Sequence, residues 1–147
     1  MSFSSVTQPM AGKPERLLLV DSSIHIDLLR AGRSPSDEFR SALEAGTLLT
    51  CGIVRLEVLR GIIDERVRTW MEGLFGEMIA CPLDERLWRD AAHLAWGLDR
   101  RGTVLPVPDL AIASCALRAG AVVVSRDPHF RLIPDLAVLE SVPDRSP

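Results

Sequence analysis

The sequence predicts an α/β fold built on a central, mainly parallel sheet. Short apolar runs of strand length alternate with longer segments of helical period, the pattern of successive βαβ units. One run, AVVVS at 121–125, is apolar on consecutive residues, as in strands covered on both faces. The chain has 147 residues and is 47% apolar, enough for one compact domain to bury a core without disulfides.

The elements follow in order. Residues 1–15 are rich in Ser, Thr, Gln, Pro and Gly without periodicity and read as a disordered tail; residues 142–147 read likewise, leaving 16–141 as the folded domain. Arg16 to Val20 is the first strand. A helix follows over 22–30, with Ile24, Leu28 and Leu29 on one face, closed by Gly32. Ser34-Pro35 has the N-cap and first-turn residues of a second helix, which ends at Gly46. TLLTCG is the second strand, and helices are expected over 53–63 and 65–78. MIACPL is a short strand stopped by Pro82, and Asp84 caps a long helix reaching about residue 101. The loop TVLPVPD leads into a small-residue helix from Pro108 to Ala119, ended by Gly120. AVVVS and LAVLE complete the sheet.

Parallel strands share a direction, so their C-terminal ends line one edge, where open α/β sheets bind ligands. Asp21 directly follows the first strand, and Asp127 follows AVVVS after Arg126. Asp109 lies in the first turn of its helix, on the stripe of Ile112, Ala113 and Ala116 that should face the sheet. Glu57 shares a partly apolar face with Ile53 and Val54. Each has a plainer reading. Asp21 could cap the next helix, Asp109 could serve the helix dipole, Glu57 could pair with Arg60, and Asp127 could open a turn with Pro128. Four carboxylates converging on one edge repel one another unless protonated or supplied with cations. Oxygen ligands of this kind select Mg²⁺ or Mn²⁺ over zinc, and such a site suits phosphodiester hydrolysis. Ser23 and Ser125 are placed to orient the carboxylates by hydrogen bonding.

The net charge of -3 gives no global drive toward nucleic acid, so any nucleic-acid contact has to be a local patch. Lys13 is the only lysine. Arg30, Arg33, Arg40, Arg60, Arg100, Arg101 and Arg126 are the candidates for phosphate contact. Cys51, Cys81 and Cys115 show no metal-ligand spacing and read as buried free thiols in a reducing compartment. No apolar run approaches the ~20 residues of a membrane span, and the N-terminus lacks a signal-peptide pattern. A cytoplasmic protein is therefore expected. His25, His93 and His129 read as surface or structural residues, with His25 one turn from Asp21 and near the rim. Trp70, Trp88 and Trp96 read as core or interface residues rather than base-stacking platforms, with Trp88 and Trp96 sharing one helix face.

The series VDSSIHIDLL, RLEVLRG, PVPDLAIASCA and VVVSRDPHF resembles the PIN-domain nucleases, most of all the VapC-type toxins of toxin–antitoxin pairs. The resemblance runs over about 16–140. It rests on the order and spacing of the motifs together. It implies a three-layer α/β/α fold and an Mg²⁺- or Mn²⁺-dependent endoribonuclease. It places the family's four acids on Asp21, Glu57, Asp109 and Asp127. The hydroxyl residue before the fourth acid falls on Ser125, and the one near the first acid on Ser23 or Ser22. It also implies an RNA substrate, a homodimer and a small inhibitory antitoxin. The sequence departs from the family in an extra proline in LPVPD and a longer N-terminal tail. Two other function classes stand beside this one. An Asp-nucleophile phosphatase would carry Asp-x-Asp after the first strand, where this chain has Asp21-Ser22-Ser23. A non-catalytic RNA- or protein-binding module would not need the full acidic set.

Overall fold

The computed structural model describes residues 16–144. The N-terminal segment 1–15, read above as a tail, lies outside the described residues, as do 145–147. Within the described residues five strands form one sheet: β1 (Leu18–Val20), β2 (Leu48–Cys51), β3 (Ile79–Cys81), β4 (Val122–Val124) and β5 (Val138–Leu139). Every pairing is parallel, and the order is β3-β2-β1-β4-β5. Successive side chains of a strand point to opposite faces, and every residue of β1, β2 and β4 is buried. Both faces of the sheet are therefore covered, which makes the three layers that the resemblance implies. The register pairs Val20 with Val124, so the residues after β1 and β4 leave the sheet side by side.

Among the described residues seven α-helices connect the strands: α1 (Ser22–Arg30), α2 (Pro35–Glu38), α3 (Arg40–Ala45), α4 (Gly52–Arg60), α5 (Glu65–Gly76), α6 (Glu85–Arg100) and α7 (Val107–Ala119). The helix expected over 34–46 is two short helices. Phe39, with φ -102° and ψ 12°, breaks it while its ring is drawn into the core at 2% exposure. Asp64 caps α5 by accepting the Arg66 and Val67 N–H groups, and Asp84 caps α6 through the Leu87 N–H. Gly46 and Gly120 end α3 and α7 in the left-handed conformation, at φ 69° and 65°. The strand expected over 136–140 shortens to Val138–Leu139, and a 3₁₀ turn at Pro128–Leu132 separates it from β4.

α7 is the central helix. Leu110 to Ala116 are buried without a break, and it touches β1, β4, α4 and α6. Alanine and serine at its contact positions let neighbouring backbones approach closely. The structure narrows the readings of His25 and the three tryptophans. His25 is fully buried and meets the Phe39 and Phe75 rings edge-on, each 5.3 Å away, so it belongs to the core and not to the rim. The core-facing residues of α6 are Leu87, Ala91 and Leu98. Trp88 and Trp96 lie off that stripe, 40% and 60% exposed, and are not core residues; Trp70 on α5 is likewise exposed. The Arg100 guanidinium covers the Trp96 ring at 5.1 Å. Cys51 and Cys115 are buried free thiols, and Cys81 on the edge strand is partly exposed.

Candidate active site

Asp21 occupies the N-cap position of α1, yet its carboxylate makes no capping bond. The plain reading of Asp21 as a helix cap is thereby removed. Its Oδ2 accepts two hydrogen bonds instead: from Ser23 Oγ at 2.8 Å and from Ser125 Oγ at 2.9 Å. The residue is 5% exposed. β1 and β4 explain the meeting. The Asp21 N–H donates to Val124 O at 2.9 Å, continuing the ladder one step beyond β1. The Ser125 N–H donates to Leu139 O at 2.8 Å, which continues β4 in the same way. Residues 104 apart in the chain thus share a hydrogen bond.

Ser125 also links forward. Its Oγ accepts the Asp127 N–H at 3.0 Å. Asp127 Oδ1 accepts the His129 N–H at 2.9 Å and so caps the 3₁₀ turn. The turn reading of Asp127 is therefore correct, and it coexists with a place in the cluster. His129 Nδ1 lies 2.9 Å from Asp109 Oδ2 and 3.3 Å from Asp127 Oδ1. One ligand atom from each of Asp109, Asp127 and His129 falls within 4.8 Å of the others.

Glu57 joins from α4. Its Oε1 accepts from Ser22 Oγ at 3.2 Å, and the same hydroxyl is 3.4 Å from Asp21 Oδ1. The two serines divide the work: Ser23 anchors Asp21, while Ser22 spans Asp21 and Glu57.

The electrostatics fit a crowded anionic site. Burial raises the Glu57 carboxyl above its ordinary range; the Ser22 hydrogen bond opposes this, and the charges of Asp21 and Asp109 add to it. Burial also raises Asp109; the His129 hydrogen bond opposes it, and Asp127 and Asp21 add to it. All four carboxylates singled out in the sequence are brought to the C-terminal edge of the sheet, with Ser23 and Ser125 bonded among them. His129, read from the sequence as a surface or structural residue, is part of the cluster. Its signal was its position two residues after Asp127, in a turn that directs the chain back toward the same carboxylate. Among the other arginine candidates, Arg33 pairs with Glu38 and Arg40 with Asp37, away from the cluster. Arg126, between Ser125 and Asp127, is exposed and borders a cavity with Arg33, Glu38 and Glu140. The cavity of about 240 Å³ bordered by Arg16, Leu18 and Thr47 lies at the start of β1 and β2, the opposite edge, and gathers no carboxylates.

The donor set is mainly hard oxygen, held by hydroxyls and backbone N–H groups, and it has excess negative charge. It fits a divalent cation.

The PIN domain family model matches residues 18–136. The VapC ribonuclease Mb1587 of Mycobacterium bovis and the ribonuclease VapC11 of Mycobacterium tuberculosis are each 31% identical to the chain over 130 residues. Those alignments take in 85% of this chain and 97% of each relative. Among solved structures, DNA-bound VapBC from Salmonella typhimurium has a TM-score of 0.71 at 19% identity, covering 84% of this chain and 97% of that one. VapBC2 from Rickettsia felis, bound to a promoter DNA fragment, has a TM-score of 0.70 at 16% identity, covering 83% and 96%. A toxin–antitoxin complex from Klebsiella pneumoniae has a TM-score of 0.65 at 21% identity, covering 85% and 99%. These structural likenesses carry the fold, and the family match and the mycobacterial relatives carry the kinship: the chain belongs to the PIN domain family, alongside the VapC ribonucleases.

Proposed function

We propose that this protein is a metal-dependent endoribonuclease, the toxin of a toxin–antitoxin pair, acting in the cytoplasm with Mg²⁺ or Mn²⁺. The observation that carries this reading is the convergence of Asp21, Glu57, Asp109 and Asp127, from four separate elements, onto one cluster joined by serine hydroxyls and the His129 imidazole. The mycobacterial relatives are named ribonucleases, and a fold neighbour is a toxin–antitoxin complex.

Asp21, Asp109 and Asp127 would hold the cation. A bound divalent ion supplies Lewis acidity and lowers the pKa of water, so that hydroxide is available near neutral pH. Asp21 keeps its orientation through Ser23 and Ser125 on Oδ2, while Oδ1 faces the Ser22 hydroxyl that also reaches Glu57. Glu57, whose carboxyl is raised by burial, is placed to orient the attacking water and accept its proton, because a base poised nearer working pH transfers protons more effectively. The chain would be held inactive by a small antitoxin and would form a homodimer. No helix among the described residues is long and apolar enough to cross a membrane.

The test is cleavage of total RNA by purified protein freed of any bound partner, in Mg²⁺ or Mn²⁺, against EDTA and against Asp21→Asn. Metal-dependent cleavage that falls by at least about a hundredfold in the folded variant is expected. Undiminished cleavage by Asp21→Asn, or by wild type in EDTA, would overturn the assignment.

A further inference from the structure

We propose that His129 is a direct nitrogen ligand of the bound cation and biases the site toward Mn²⁺ over Mg²⁺. The inference rests on the metal-dependent reading above and adds to it a donor that the carboxylates alone do not provide. Nδ1 faces the carboxylates, 2.9 Å from Asp109 Oδ2 and 3.3 Å from Asp127 Oδ1. Neighbouring ligands of a six-coordinate ion with bonds near ~2.1 Å lie about 3 Å apart. The two separations therefore match adjacent corners of one coordination shell as well as they match hydrogen bonds.

The backbone that carries the ring is anchored on both sides. The His129 N–H is fixed by Asp127 Oδ1, Pro128 precedes it, and Phe130 directly after it is fully buried. A surface histidine that only neutralises acid would not need an anchor on both sides. The imidazole is 41% exposed, so an ion can reach it without breaking open the core, whereas Asp109 beside it is 15% exposed.

The chemistry then sets a preference. Mg²⁺ favours oxygen donors and retains its waters, whereas later divalent ions accept imidazole readily. A centre in which an imidazole joins Asp109 and Asp127 discriminates in favour of Mn²⁺ more than the carboxylates alone would.

The experiment uses the untagged full chain, stripped with chelator, with no RNA present. Mn²⁺ is titrated and followed by electron paramagnetic resonance, and the pulsed spectrum is examined for hyperfine coupling to a directly bound nitrogen. Mg²⁺ is measured by competition. Wild type is expected to show the coupling. His129→Gln is expected to lose it and to bind Mn²⁺ at least about tenfold more weakly, with Mg²⁺ affinity little changed. His129→Asn serves as a second variant, and melting curves of the metal-free proteins confirm folding. Mn²⁺ binding without nitrogen coupling, or coupling that persists in both variants, overturns the role of His129 and leaves the metal-dependent reading standing. Absence of Mn²⁺ binding in wild type overturns both.

Discussion

Replacing Ser125 with alanine removes one hydroxyl that serves two partners. Ser125 is 1% exposed; its Oγ donates to Asp21 Oδ2 at 2.9 Å and accepts the Asp127 N–H at 3.0 Å. The first bond is charge-assisted, a type that contributes about 1.5–3 kcal/mol. Asp21 Oδ2 keeps the Ser23 hydroxyl at 2.8 Å, which places this loss at the lower end. The Asp127 N–H loses its acceptor, which costs about 1 kcal/mol more. Together these give about 2.5 kcal/mol. For a domain of this size each kcal/mol moves the melting temperature by about 3–5 °C, so Ser125→Ala should melt about 8–12 °C below wild type. Urea unfolding and thermal melting by circular dichroism, both in EDTA at neutral pH, measure it. Ser125→Thr, which keeps the hydroxyl, should recover most of the loss. Ser23→Ala and Ser125→Ala should be more damaging together than their sum, since both hydroxyls serve one carboxylate oxygen. A Ser125→Ala loss below about 0.5 kcal/mol, the range of ordinary surface changes, would refute the hydroxyl as the link between Asp21 and Asp127.

Two further outcomes are expected. In EDTA, Asp109→Asn should melt at or above wild type, because one of several crowded carboxylates, raised by burial, is gone. Mn²⁺ at a hundredfold excess over its dissociation constant should stabilise wild type by about 2.7 kcal/mol and Asp109→Asn far less; equal stabilisation of both would place the ion elsewhere. His25 supplies a pH dependence of its own. Burial lowers its pKa from 6.5 to about 3. Between those values the unfolded chain binds a proton that the folded chain refuses, so His25 favours folding above the unfolded pKa and this advantage is lost as pH falls toward 3. The slope is on the order of 1.4 kcal/mol per pH unit. His25→Leu should flatten the acid side of the stability profile measured by urea unfolding; parallel profiles for the two proteins would refute it. Both ring nitrogens of His25 lack a hydrogen-bond partner, so the leucine variant should not be weaker at neutral pH.

The sheet and most helices were legible because their signals are local: apolar runs, a capping Asp before α6, a glycine after α3 and α7. The four carboxylates were legible because parallel topology fixes which strand ends share an edge, and Asp21 and Asp127 both follow strands. What escaped depends on side-chain direction. Phe39 sits in a helical pattern, yet the demand of the core for its ring breaks the helix. His25 looks like a rim residue on the helical wheel, but the gap between Phe39 and Phe75 takes it inside. Trp88 and Trp96 do share a face of α6, and nothing in the periodicity said that Leu87 and Leu98 would claim the core instead. His129 escaped because it reaches Asp109 through a 3₁₀ turn, for which the sequence offered only Asp-Pro.

The position of β4 bears on synthesis. β4 is made late but lies beside β1, the earliest strand, and its far side receives β5. A nascent chain that has not yet delivered β4 already carries Asp21, Glu57 and Asp109. It has neither Ser125 to hold Asp21 nor Asp127 to complete the cluster. Domains made on the ribosome become competent only when their closing segment is available. A chain of this design therefore completes its acidic centre late, once β4 has brought Ser125 and Asp127 beside Asp21.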